Sequence, residues 1–233
     1  SSHLQNLHRN RRAIALDLKS KDGVAILKKL VEKADVVVAT SRPAVTTRLG
    51  IDYETLRAVN PRLIYASISG FGEDGPYRER PGFDQIAQGM GGIMSVTGLP
   101  GQGPVRAGIP IADLCAGIFA SQGILLALIE RERSSQGQWV QSSLLAAQIF
   151  MLDFQAARWL MDRQVPGQAG NNHPSGAPTG VFATKDGHIN IATTGQEIYK
   201  RFCDAIGAPG LFTDPLFADG RKRFQNRDKL NAA

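Results

Sequence analysis

Residues suited to metal ligation or disulfide chemistry are scarce in this chain. Of 233 residues only two are cysteine, Cys115 and Cys203, and four are histidine (His3, His8, His173 and His188), with no spacing that groups them as ligands. That argues against a zinc module and against a disulfide-framed scaffold, since at most one bridge can form. Cys115 sits in an apolar segment and reads as a reduced core residue. Several catalytic signatures are also missing: there is no GxSxG elbow and no HExxH pair. Gly101 and Gly103 are followed by Arg106 where a dinucleotide fingerprint needs glycine, with no strand directly before them and no helix directly after. GMGG at 89–92 is no phosphate loop either, so nicotinamide-dependent hydride transfer is disfavoured. No stretch reads as long and apolar enough to cross a membrane, and the start lacks a hydrophobic signal region. The expected address is cytoplasmic, with no membrane partner.

Charge is present but scattered. Twenty-seven Lys and Arg against 21 Asp and Glu give a net +6 and a pI near 9.5, a balance that suits an anionic ligand. The basic residues mass only at RNRR (9–12) and RKR (221–223), and no nucleic-acid-binding signature accompanies them, so a nucleic-acid partner is not expected. At 42% hydrophobic and 21% charged the composition is that of an ordinary globular chain, long enough for one large domain or for one and part of another.

The first third alternates strand and helix signals. AIALDL (13–18) reads as a strand. Residues 21–34 carry apolar side chains at 24, 26, 27, 30 and 31, a helical spacing, and DVVVA (35–39) is a buried-strand run. YETLRAVN (53–60) is a short helix stopped by Pro61, and LIYASISG (63–70) is a third strand. This order predicts an α/β fold with a Rossmann-like parallel sheet. Residues 70–112 are rich in Gly and Pro with interleaved apolar residues, a pattern of ordered and functional loops. Residues 114–133 then read as a long apolar helix, WVQSS as a short strand, and 144–162 as a second long helix. QVPGQAGNNHPSGAP (164–178) resembles a linker. Beyond it VFATKDGHINIA (181–192) is a hairpin with an Asp-Gly turn, 197–206 a helix, and Asn226 the cap of another.

Between Arg106 and Glu130 the lone charged side chain is Asp113. It is well placed as the N-cap of a helix beginning at Leu114. It also suits a nucleophile, because a helix N-terminus favours the carboxylate form. Asp84, in RPGFDQIAQ, has the same two readings: cap of a helix running toward Gly89, or a second carboxylate near the first. Arg9, Arg11, Arg12, Arg42 and Arg48 flank strand signals. They are either solvated surface or the mouth of a phosphate site at the sheet edge.

Four stretches together resemble the type III CoA-transferases, a family that includes formyl-CoA transferase and L-carnitine CoA-transferase, with α-methylacyl-CoA racemase as a relative. They are RNRRAIALDLKSKDG, the run from SRPAVTTRLG to LIYASISGFG, GPYRERPGFDQIAQGMGG, and PVRAGIPIADLCAGIFASQGILLAL. The resemblance covers nearly the whole chain and implies a metal-free enzyme working as an interlaced homodimer. It takes acyl-CoA and carboxylic acids as substrates and holds no permanent cofactor. The family aspartate that forms a mixed anhydride and then an aspartyl-CoA thioester falls on Asp113. CoA contacts fall on Leu16, Asp17, Leu18 and Lys19, on Thr40, Ser41, Arg42 and Arg48, and on Pro81, Gly82, Phe83 and Asp84. A glycine-rich covering loop aligns near Gly176. Where the family carries ENFRPG this chain has ATSRPA (39–44), so Thr40 and Ser41 replace an asparagine and a phenylalanine. The racemases place a histidine base where Phe83 stands, and phenylalanine cannot shuttle a proton. Transferase is therefore favoured over racemase. A non-catalytic remnant or dimerising scaffold is the reading from another class. Residues 1–150 are expected to form the large CoA-binding domain, incomplete at its N-terminus, and 151–175 a linker helix and loop. Residues 176–233 are expected to begin a smaller, truncated α+β domain.

Overall fold

A computed structural model of the chain describes residue 5 and residues 7–233. His3 lies outside them. The chain divides into two compact units, residues through Gly91 with Ile109–Met151, and Gly92–Gly108 with Leu152–Ala233.

The first unit is built on a three-stranded parallel sheet in the order β1 (Val36–Ala39), β2 (Ile64–Ser69), β3 (Trp139–Ser143). Central β2 is buried at nearly every position, as a strand covered on both faces must be. Tyr65 packs with Val31, Leu56 and Leu63 on one face. The other face is closed by Ala87, Ala112, Cys115, Ala116, Leu144 and Ala147, with Ile68 against them. The helices supplying these residues are α1 (Lys21–Val31), α3 (Tyr53–Arg57), α4 (Asp84–Met90), α6 (Ile111–Ser134) and α7 (Leu144–Phe150), and α2 (Pro43–Leu49) follows β1. The chain is thus a mixed α/β fold with a parallel sheet between helical layers.

In the second unit, α5 (Ile93–Val96) and α8 (Phe154–Asp162) precede a hairpin of β4 (Thr179–Ala183) and β5 (His188–Ala192). Short helices follow, α9 (Gln196–Ala205) and α10 (Gly210–Thr213), then α11 (Gly220–Gln225) and α12 (Arg227–Ala232). They close a core of Tyr199, Cys203, Phe217 and Leu230. Gln168 ties the 164–178 stretch down, donating to the carbonyls of Thr97 (2.7 Å) and Gly103 (2.6 Å).

Several sequence expectations are corrected. AIALDL at 13–18 belongs to no ladder among the described residues, and most of its side chains are exposed. Strand propensity without a partner leaves a run single. β1 pairs only with β2 among the described residues, and its Val38 is exposed. The helix expected over 144–162 is two helices, because Asp153 takes φ 46° and ψ −121° between them. Asn226 stands at the cap position of α12 without capping it, its amide donating back to the carbonyls of Leu216 and Lys222. Finally, α6 is 24 residues long and apolar enough by length and composition to span a bilayer, contrary to the sequence reading. One face of it packs on β2 and β3, while Leu114, Ile118, Leu125, Leu126 and Ile129 are exposed.

Candidate functional site

A parallel sheet ends all its strands on one rim, and here that rim is a cleft. Thr40 follows β1, Gly70 follows β2, Leu144 follows β3, and all three line a cavity of about 530 Å³. This is the crevice outside the carboxyl ends of the strands, where open α/β sheets take their ligands. Ser41 and Arg42 continue the β1 wall, Pro81 and Gly82 form another side, and Asp113 enters from α6.

Two glycines make the cleft possible. A Cβ built on Gly70 would lie 2.4 Å from the Cα of Gly82, and one on Gly82 would lie 2.2 Å from the Cα of Gly70. The two backbones cross in contact, so the end of β2 and the loop before α4 share one wall. Arg42 holds that loop from the other side, Nη1 donating to the Glu79 carbonyl at 3.0 Å.

Asp113 is not the cap of its helix. The helix starts at Ile111 with Pro110 at the cap position, which places Asp113 in the first turn with its side chain exposed. Its carboxyl is pushed above the usual carboxylate range, chiefly by partial burial among apolar groups and then by the charge of Asp84. The capping bond comes from elsewhere: Asp84 Oδ1 accepts from the Ala112 N–H at 2.9 Å. Asp84 in turn is the first residue of α4 rather than its cap, and Phe83 stands at the cap position. Cys115 is buried, and burial pushes its thiol up, which keeps it protonated and unreactive.

A second cavity of about 730 Å³ lies along α1 and α2 and is basic. Lys19, Lys21, Lys28 and Arg48 line it with Leu18 and Ser20, and no carboxylate does among the described residues. It opens at the N-terminus of α1, where the Ser20 hydroxyl accepts from the Gly23 N–H at 3.0 Å.

The expected site residues therefore fall into groups. Thr40, Ser41, Arg42, Pro81, Gly82 and Asp113 meet in the first cleft, while Leu18, Lys19 and Arg48 meet in the second. Leu16 and Asp17 line neither. Asp17 closes the turn before α1, Oδ1 accepting from the Lys19 N–H at 2.9 Å. Phe83 is 67% exposed and outside both, and Asp84 lies buried behind Asp113. Gly176 belongs to the second unit.

The family model described as CoA-transferase family III matches residues 1–233. The chain belongs to this family. It is 41% identical to acetyl-CoA:oxalate CoA-transferase of Acetobacter aceti, over 100% of this chain and 60% of that protein. It is 38% identical to succinate–glutarate CoA-transferase of Agrobacterium fabrum, over 94% of this chain and 55% of the relative. Among solved structures, a CaiB/BaiF family protein from Brucella suis superposes with a TM-score of 0.81 at 37% identity, over 95% of this chain and 58% of that one. The chain thus spans about 55–60% of the length of these relatives.

Sequence reasoning missed Ser69, Gly70 and Leu144 in the first cleft, and Lys21 and Lys28 in the second. The signals were there. In a parallel sheet the residue after each strand faces the rim, and positions 21, 24, 25 and 28 form one stripe of α1 at spacings of three and four.

Proposed function

We propose that the protein carrying this chain is a CoA-transferase that moves CoA between carboxylic acids, with Asp113 as its covalent nucleophile. The observation that carries the reading is the exposed Asp113 carboxylate on the wall of the cleft at the strand ends. The Asp113 carboxylate attacks the thioester carbonyl of the donor acyl-CoA. The C–S bond breaks, CoA leaves as thiolate, and a mixed anhydride remains. The thiolate then attacks the aspartyl carbonyl of that anhydride, releasing the donor acid as carboxylate and leaving an aspartyl-CoA thioester. The acceptor carboxylate repeats the first step on this thioester, and CoA thiolate attacking the acceptor acyl carbon regenerates Asp113.

The basic cavity suits the phosphorylated end of CoA, where four cations face one space. The small-residue cleft suits the thioester arm. Relatives named for oxalate, succinate and glutarate make short dicarboxylic acids the first acceptors to test. Phe83 offers no acid or base, which separates this reading from racemisation. The exposed apolar residues of α6, Leu125, Leu126 and Ile129, suit burial in a homodimer. The test is mass spectrometry after incubation with acyl-CoA and quenching with hydroxylamine or borohydride. A hydroxamate or reduced side chain at Asp113 is expected; label on Cys115 instead would overturn the assignment.

A further inference from the structure

The first turn of α6 begins without a side-chain cap of its own. Pro110, at the cap position, has no group to accept from the first-turn amides, and Ala112 is fully shut off from water. An unpaired buried N–H there would cost stability. The partner is borrowed from α4. Asp84 Oδ1 takes the Ala112 N–H at 2.9 Å, and Asp84 Oδ2 takes Gln88 Nε2 at 2.7 Å. The same Gln88 nitrogen also donates to the Ile109 carbonyl at 3.2 Å. Asp84 and Gln88 stand one turn apart on α4 and are 9% and 0% exposed. Together they grip the main chain on both sides of Pro110, at the carbonyl of residue 109 and the amide of residue 112. Asp113 is the next residue.

We propose that Asp84 and Gln88 are positioning residues that clamp the 109–112 turn and so set where Asp113 meets the thioester; this rests on Asp113 being the nucleophile. A glutamine buried on the far side of the turn cannot reach substrate through the main chain, so its effect is on the aim of Asp113 and not on binding. A reacting atom displaced by ~1 Å can cost about 10²-fold in rate.

The experiment compares wild type, Gln88→Leu and Asp84→Asn in the full-length protein with two readouts. One is amide hydrogen exchange of the peptide containing residues 109–113. The other is the rate of hydroxylamine-trappable adduct at saturating acetyl-CoA, with the concentration giving half that rate. Gln88→Leu is expected to speed exchange about tenfold and slow trapping about ten- to a hundredfold, with half-saturation changed less than about twofold. Asp84→Asn is isosteric, keeps one acceptor oxygen for Ala112, and is expected to fall between the two; it also serves if Gln88→Leu does not fold. Unchanged exchange in both variants overturns the clamp whatever Asp113 does. Faster exchange with an unchanged trapping rate overturns its role in positioning. Absence of any adduct in wild type removes the nucleophile, and the positioning role falls with it even if exchange responds.

Discussion

The two cavities of the first unit share helix α2 as a wall and differ in almost everything else. One holds a single carboxylate, Asp113, and a single cation, Arg42, among small and apolar groups; the other gathers four cations and no acid among the described residues. On the proposed function, the first would carry the chemistry and the second the anchoring. A nucleophilic carboxylate gains nothing from neighbouring ammonium groups, which would lower its basicity, whereas a polyphosphate is held best by exactly such a cluster. Partial burial, and then the charge of Asp84, raise the Asp113 carboxyl above the usual carboxylate range.

The sharpest way to break this contrast is Asp113→Asn. Turnover should fall by at least about 10³-fold, as for removal of other covalent nucleophiles. Binding of adenosine 3′,5′-bisphosphate in the basic cavity should be unchanged by equilibrium titration. Next in size is Gly70→Val. Its Cβ meets the backbone of Gly82, and overpacking of this kind costs about 1–3 kcal/mol. Thermal denaturation should register that loss, and acyl-CoA binding should weaken far more than binding of the bisphosphate. Third, Lys28→Ala and Arg48→Ala should each raise KM for acyl-CoA about tenfold at low salt with kcat unchanged, since a charge-assisted contact is worth roughly 1.5–3 kcal/mol. The effect should shrink as ionic strength rises.

The smallest expected effect is on stability. Because the folded-state pKa of Asp113 is raised, the fold bears a cost for ionising it at pH values above that pKa and none below the unfolded value. Asp113→Asn should therefore raise Tm at neutral pH. The gain should fade as pH drops through the folded pKa and be gone below the unfolded one. An equal gain at all pH values would count against this account.

Much of the sheet was legible because strand and helix periods differ and Pro61 marks a clear stop. The parallel order, the hairpin turn at 184–187 and the helix after Ser20 all followed from local pattern. What local pattern could not reveal was pairing. Among the described residues AIALDL has strand composition but no ladder, and VVVA has core composition but pairs only with β2. The site was legible through its resemblance to a family more than through chemistry. Asp113 stood out as an isolated acid, and for both it and Asp84 the local sequence offers two readings, a cap of its own helix or a carboxylate of the site. The structure has Asp84 capping the helix of Asp113, an exchange across 28 residues that no window along the chain contains. Lys28 was passed over because a lysine on a helix face ordinarily reads as solvated surface.

Helix α6 is tied down at both extremities by acids from other elements. At its start Asp84 holds the Ala112 amide; near its end buried Arg131 pairs with Asp35 at 2.8 Å, just before β1, and reaches the Arg62 carbonyl at 3.2 Å. A rod anchored this way resists axial travel, which holds Asp113 in its place on the cleft wall. On the proposed function, adjustment to a longer or shorter acyl group then falls to the loops at the rim, and substrate preference drifts there while Asp113 stays fixed.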